Sequence, residues 1–238
     1  MAISTLSFKP RGKGRLEQQL QKLIVNFASY LDYFDKATPF DKPEQLGYHL
    51  ITSRRRRELG SARLATADSQ FCESLYVTLQ HWGIGKRGSL LKPYGVFAKA
   101  IASQADEIAQ LEGIDIGDPS RELRQVASQA WAIINSLEIV DNDSLVVSGT
   151  KTLHHLLPDL VVPMDNVYTK PFFLWDYQYM RGQQAFEKSF AEFWRIAGDG
   201  TAAVKSYVVR PAEESWRTSQ TKVIDNAIVA YCIKEGLV

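Results

Sequence analysis

A chain of 238 residues, 45% hydrophobic and 23% charged, has the composition of a globular protein with a sizeable core. Its formal net charge of +1 excludes a global basic field as the basis of binding. Two cysteines, Cys72 and Cys232, exclude a four-thiolate zinc or iron–sulfur site and fit buried thiols in a reducing compartment.

The charges are nevertheless unevenly placed. Lys9, Arg11, Lys13 and Arg15 form a basic N-terminal arm, Arg54, Arg55, Arg56 and Arg57 a second block, and acidic residues gather near 104–122. No run approaches the ~18–20 apolar residues of a membrane span, and no signal-peptide pattern follows the first charges. The expectation is a cytoplasmic, monomeric protein.

Residues 1–14 read as a flexible arm, broken by Pro10, Gly12 and Gly14, ahead of one helical domain over 15–238. Leu16, Leu20, Leu23, Phe27, Leu31 and Phe34 recur at helical spacing. Pro39 and Pro43 mark a break, with Asp41 as the cap of a short helix through 44–50. The arginine block precedes a helix carrying Phe71, Leu75, Leu79 and Trp82. A glycine loop follows over 83–89, and a helix after Pro93 carries Phe97 and Ile101. Asp118-Pro119 reads as the cap and first position of a helix through Leu123, Val126, Ala130, Ile133 and Leu137.

Next come Val146-Val147-Ser148-Gly149-Thr150-Lys151-Thr152 and, beyond Pro158, Val161-Val162-Pro163-Met164-Asp165. A glycine turn is expected to open a helix with Lys151 in its first turn. Backbone N–H groups at such a start suit an anion. Asp165 should stand at the head of the following helix. Phe172, Phe173, Trp175, Tyr177 and Tyr179 read as irregular or short-helical. Phe186, Phe190, Phe193 and Ala197 define a helix ended by Gly198, and a last helix starts near Gln220 with Val223, Ala227, Ile228 and Tyr231 inward. Strand signals are short, at 145–147, 160–162 and 207–209. The fold class is mainly α.

Each motif has a plain structural reading beside the chemical one. Asp165 is either an N-cap or a catalytic carboxylate. Lys151 is a solvated helix residue, a phosphate neutraliser or an amine nucleophile. The four arginines are phosphate contacts or a solvated face. Lys86 and Arg87, in a loop lacking the Walker spacing, could reach DNA with Trp82 at the loop base. His154 and His155 are adjacent, so on a helix they point ~100° apart, and no metal site is expected. Ser148 lacks the G-x-S-x-G setting of a hydrolase nucleophile.

Ser148-Gly149-Thr150-Lys151-Thr152 followed by Val162-Pro163-Met164-Asp165 resembles the helix-hairpin-helix DNA glycosylases. Two features depart from that pattern. The hairpin Leu145-Val146-Val147-Ser148-Gly149 has no L-P-G-V-G, and Lys151 and Asp165 are 14 positions apart, about one helical turn closer than usual. The similarity covers about 120–170. It implies a two-lobed helical fold around a cleft, with the hairpin near 120–170.

The implied activity is excision of a flipped, damaged or modified base from double-stranded DNA, in repair or in antiviral defence. Modified cytosine in phage DNA is one candidate target. The resemblance assigns catalysis to Asp165 and, secondarily, Lys151. It favours a monofunctional enzyme over a glycosylase/lyase and requires no cofactor. DNA contacts fall to Ser148, Gly149, Thr150, Thr152, Arg54, Arg55, Arg56, Arg57, Lys86 and Arg87. The base pocket falls to Trp82, Tyr168, Trp175 and Asp225, since a flipped base needs stacking and edge hydrogen bonds. The alternative is a non-catalytic helical DNA- or protein-binding module.

Overall fold

The computed structural model describes residues 13–37, 39–40, 42–85, 90–142, 144–174, 182–208 and 215–238. Thirteen helices run through them, and no strand occurs among the described residues. The one pairing of extended backbone is an isolated bridge between Leu91 and Val140. The expected strand at 145–147 is helical, Leu160 closes a turn and 161–162 are irregular, Tyr207 and Val208 form no strand, and Val209 lies outside the described residues. No described helix is long and apolar enough to cross a membrane.

α1 (Lys13–Val25) and α2 (Phe27–Ala37) are nearly one helix. Asn26 N–H still reaches Lys22 O and Tyr30 N–H reaches Asn26 O, so the ladder crosses the junction. Lys13 and Arg15, expected in the basic arm, are residues of α1, and Lys9 and Arg11 lie outside the described residues.

α3 (Pro43–Leu59) absorbs the whole arginine block that was expected to precede a helix. Proline starts it, and Gly60 stops it in the left-handed region at φ 73°, its N–H returning to Arg57 O. Asp41, the expected cap, lies outside the described residues.

α4 (Ala62–Ala67) and α5 (Ser69–His81) are each capped by a side chain, Ser61 accepting from Leu64 N–H and Asp68 from Phe71 N–H. Asp68 also holds Arg55 at 2.6 Å. The Arg55 guanidinium, then the Phe71 N–H, keep the Asp68 carboxyl below its ordinary value. A depressed folded-state value means this stability is complete above the unfolded value near 4 and is lost as pH falls through the folded one. Asp68→Ala should cost about 1–2 kcal/mol in urea unfolding at pH 7. That difference should shrink progressively below about pH 4.

α6 (Tyr94–Ser103) and α7 (Ala105–Gln110) lead to α8 (Leu123–Ser136), which is capped by Glu122 rather than Asp118. Asp118 instead takes Ser120 N–H in a local turn. Its short side chain finds a partner two residues on, ahead of any helix. α9 (Leu145–Leu156), α10 (Thr169–Phe172), α11 (Gln183–Asp199), α12 (Thr201–Ser206) and α13 (Gln220–Lys234) complete the order. α11 runs through Gly198 because Gly117, at φ 81°, lies against that turn. A Cβ on Gly117 would come within 2.7 Å of Gly198 N and 2.9 Å of Ala197 Cβ.

Buried apolar side chains from α1, α2, α5, α8, α9, α11 and α13 merge into one continuous core. α13 packs on α2, α11 on α8, and α9 against α3, α5 and α8. The start of α13 meets α9 where Thr221 Oγ1 lies 3.0 Å from His154 Nδ1, and the candidate site lies beside that contact.

Candidate functional site

Gly149 does not form a turn. The segment 145–149 is the first turn and a half of α9, and Gly149 serves as a contact point. A Cβ there would meet Ile134 Cγ2 on α8 at 2.6 Å. Ser148, Gly149, Thr150 and Thr152 are buried. Their N–H groups belong to the helix ladder. The three hydroxyls bond back to carbonyls one turn earlier, Ser148 to Ser144 O, Thr150 to Val146 O and Thr152 to Ser148 O. None of these four residues can grip a phosphate as expected.

The arginine block is likewise mostly structural. Arg55 is held by Asp68 and Glu58. Arg56 is buried, donating to Leu156 O and pairing with Glu112. Arg57 donates to Thr218 O. Arg54 is exposed. These side chains tie α3 to neighbouring segments because helix α3 presents them to carboxylates and carbonyls. Lys86, Arg87 and Trp175 lie outside the described residues.

Lys151 and Asp165 lie on two segments that meet. Thr150 Oγ1 accepts Met164 N–H at 3.1 Å, which pins the returning segment beside the next residue of α9. The 14-residue separation is therefore closed by a hydrogen bond rather than by an extra turn. Lys151 Nζ donates to Trp82 O at 2.8 Å. Burial lowers its pKa, while the charges of Asp165 and Asp225 oppose that shift.

Asp165 is half-buried and caps the turn 166–168 ahead of α10, whose own N-cap is Tyr168, so it does not stand at the head of a helix as expected. Its Oδ1 accepts from Val167, Tyr168 and Thr169 N–H at 3.0, 2.6 and 3.3 Å, and Thr169 Oγ1 accepts Asp165 N–H at 3.0 Å. All three bonds use Oδ1, so Oδ2 takes no part in the cap. Tyr168, expected in the base pocket, packs edge-on to Phe40 at 6.3 Å.

On α13, Lys222 is 1% exposed and bonds Asp225 Oδ2 at 2.5 Å and Asn226 Oδ1 at 2.8 Å. Its ammonium lies 5.3 Å from the centre of Phe40, 5.5 Å from Trp82 and 5.0 Å from Trp216. An aromatic box thus surrounds a buried cation. Burial raises the Asp225 carboxyl, with Lys222 opposing. Trp82 carries a buried Nε1–H that has no hydrogen-bond partner among the described residues.

Behind Trp82 and Trp216 lie His49 of α3 and His154 and His155 of α9, all buried. One potential ligand nitrogen from each lies within 4.8 Å of the others. His154 and His155 diverge on α9 as expected, and His49 from α3 bonds His155 and stacks on His154. Burial lowers all three, with His155 at about 4 and the other two well below the usual range.

Sequence reasoning missed Phe40 and His49, and left Trp216 and Lys222 outside the site. A lysine on the apolar face of α13 was the one available signal. Comparison with known proteins finds no matching family model, no matching curated protein and no matching solved structure.

Proposed function

We propose that the chain is a DNA N-glycosylase, a helical hydrolase that excises a flipped base and leaves an abasic site. One observation carries this reading. Buried Lys222, paired with Asp225, stands among the rings of Trp82, Trp216 and Phe40, and Lys151, which feels the charges of Asp165 and Asp225, bonds the Trp82 carbonyl beside it.

Breaking an N-glycosidic bond makes C1′ cationic as the base departs with the bonding electrons. Asp165 Oδ2 suits that charge, because Oδ1 is fixed by three N–H groups and the carboxylate cannot swing away. The same oxygen can take a proton from the water that adds to C1′. The unpaired Trp82 Nε1–H can donate to a carbonyl or ring nitrogen on a base edge.

Lys151, already bonded to Trp82 O, is assigned to neutralise charge rather than attack, which favours a monofunctional enzyme. Phosphate contacts are assigned to Arg54 and to Lys86 and Arg87. The two-lobed arrangement and cytoplasmic monomer belong to the same proposal. Modified cytosine in phage DNA is the target tested first, with damaged bases as the repair alternative.

Purified protein should generate abasic sites in duplexes carrying one of these bases, scored by alkaline strand cleavage. Absence of abasic sites across damaged oligonucleotides and phage DNAs with modified cytosines would contradict the proposal. The competing reading, a non-catalytic binding module, draws on the full engagement of Asp165 Oδ1 as a cap. DNA binding without base release would favour it.

A further inference from the structure

We propose that His49, His154 and His155 bind one divalent transition-metal ion of the zinc class. Hydrogen bonds fix two of the three rings in a ligand-ready tautomer. His155 Nδ1 lies 2.8 Å from Lys151 O, and His154 Nδ1 lies 3.1 Å from Val161 O and 3.0 Å from Thr221 Oγ1. Carbonyl oxygens only accept, so both Nδ1 atoms carry the proton. Nε2 of each ring is left as a lone-pair donor. Histidine ligands of metals are oriented in this way by a carbonyl on the other nitrogen.

His49 completes the set. Its Nδ1 is 3.1 Å from His155 Nε2 and its Nε2 is 2.7 Å from Thr218 Oγ1. A hydroxyl can donate or accept. Without an ion, Nδ1–H of His49 donates to His155 and Thr218 donates to His49. With an ion, the His49 proton sits on Nε2, Thr218 accepts it, and Nδ1 becomes the third ligand.

The dimensions fit. A tetrahedral ion with bonds of about 2.0–2.1 Å separates its nitrogens by about 3.3 Å. The His49–His155 contact is already close to that, and since all three ligand atoms lie within 4.8 Å of one another, no separation need close by more than about 1.5 Å. Three nitrogens leave a fourth position for water or another ligand. The site owes nothing to the glycosylase reading, since it uses no residue assigned to base release.

The test uses the full chain, stripped with a chelator and titrated with Co(II) and Zn(II) without DNA. One equivalent of Co(II) should give the intense visible absorption of a four- or five-coordinate nitrogen site, displaced by Zn(II). Zinc should raise Tm, and magnesium should not. His155→Gln should abolish the spectrum. Thr218→Val, which removes only the hydroxyl partner of His49, should weaken affinity about 10–100-fold. Far-UV circular dichroism checks that both variants fold. Should His155→Gln fail to fold, the wild-type spectrum and the Thr218→Val shift still decide. A wild-type protein that retains no metal and shows only the weak spectrum of hexaaquo Co(II) overturns the proposal. So does a Thr218→Val affinity equal to wild type.

Discussion

Asp165→Asn should lower the rate of base release by about 10²–10³-fold, or 2.7–4 kcal/mol of transition-state stabilisation. The substitution is nearly isosteric. Its side-chain oxygen can still accept the Val167, Tyr168 and Thr169 N–H groups, so the capping turn persists and unfolding free energy should change by less than about 1 kcal/mol. What is removed is the negative charge on Oδ2. A large rate loss at nearly constant stability would separate catalysis from capping. If the only effect were a stability loss of cap size, Asp165 would be structural. Single-turnover kinetics with saturating enzyme is the measurement, because it isolates the chemical step from product release.

The second large effect is on stability. Lys222→Ala should cost about 3–5 kcal/mol, because it leaves the Asp225 carboxylate and Asn226 Oδ1 without their buried donor. The lost attraction to Phe40, Trp82 and Trp216 adds to this. Lys222→Met with Asp225→Asn should recover much of the loss, since neither charge is then stranded. Urea unfolding of Lys222→Met, Asp225→Asn and their double gives the coupling energy directly. A cost below about 1 kcal/mol for Lys222→Ala would show that the ammonium does not hold α13 to the aromatic box.

The outline of both fold and site could be read along the chain where the determinants were local. Apolar spacing located α5, α8, α11 and α13, and Lys151 and Asp165 lie on consecutive segments that meet. Gly149 was misread because glycine before a lysine suggests a turn. A helical glycine costs only about 1 kcal/mol relative to alanine, and the Ile134 contact requires the absent Cβ. The arginine block was misread because charge density carries no sign of which partners the tertiary fold supplies. Glu112 is 56 positions from Arg56, and Leu156 is 100.

The histidine cluster was invisible for the same reason. His154 and His155 diverge on one helix, and only the packing of α3 on α9, 106 positions from His49 to His155, supplies the third ring. Lys222 interrupts an otherwise apolar stretch of α13, but its role depends on Phe40 and Trp216 from distant segments.

Affinity for two abasic-site analogues bears most directly on the claim that a fixed carboxylate oxygen faces a developing cation. One duplex carries a neutral tetrahydrofuran and the other a cationic pyrrolidine that mimics the charged sugar. Wild type should bind the pyrrolidine duplex at least about tenfold tighter, as expected for a site complementary to the transition state, and Asp165→Asn should lose that preference. Equal affinity of wild type for the two duplexes would contradict the account.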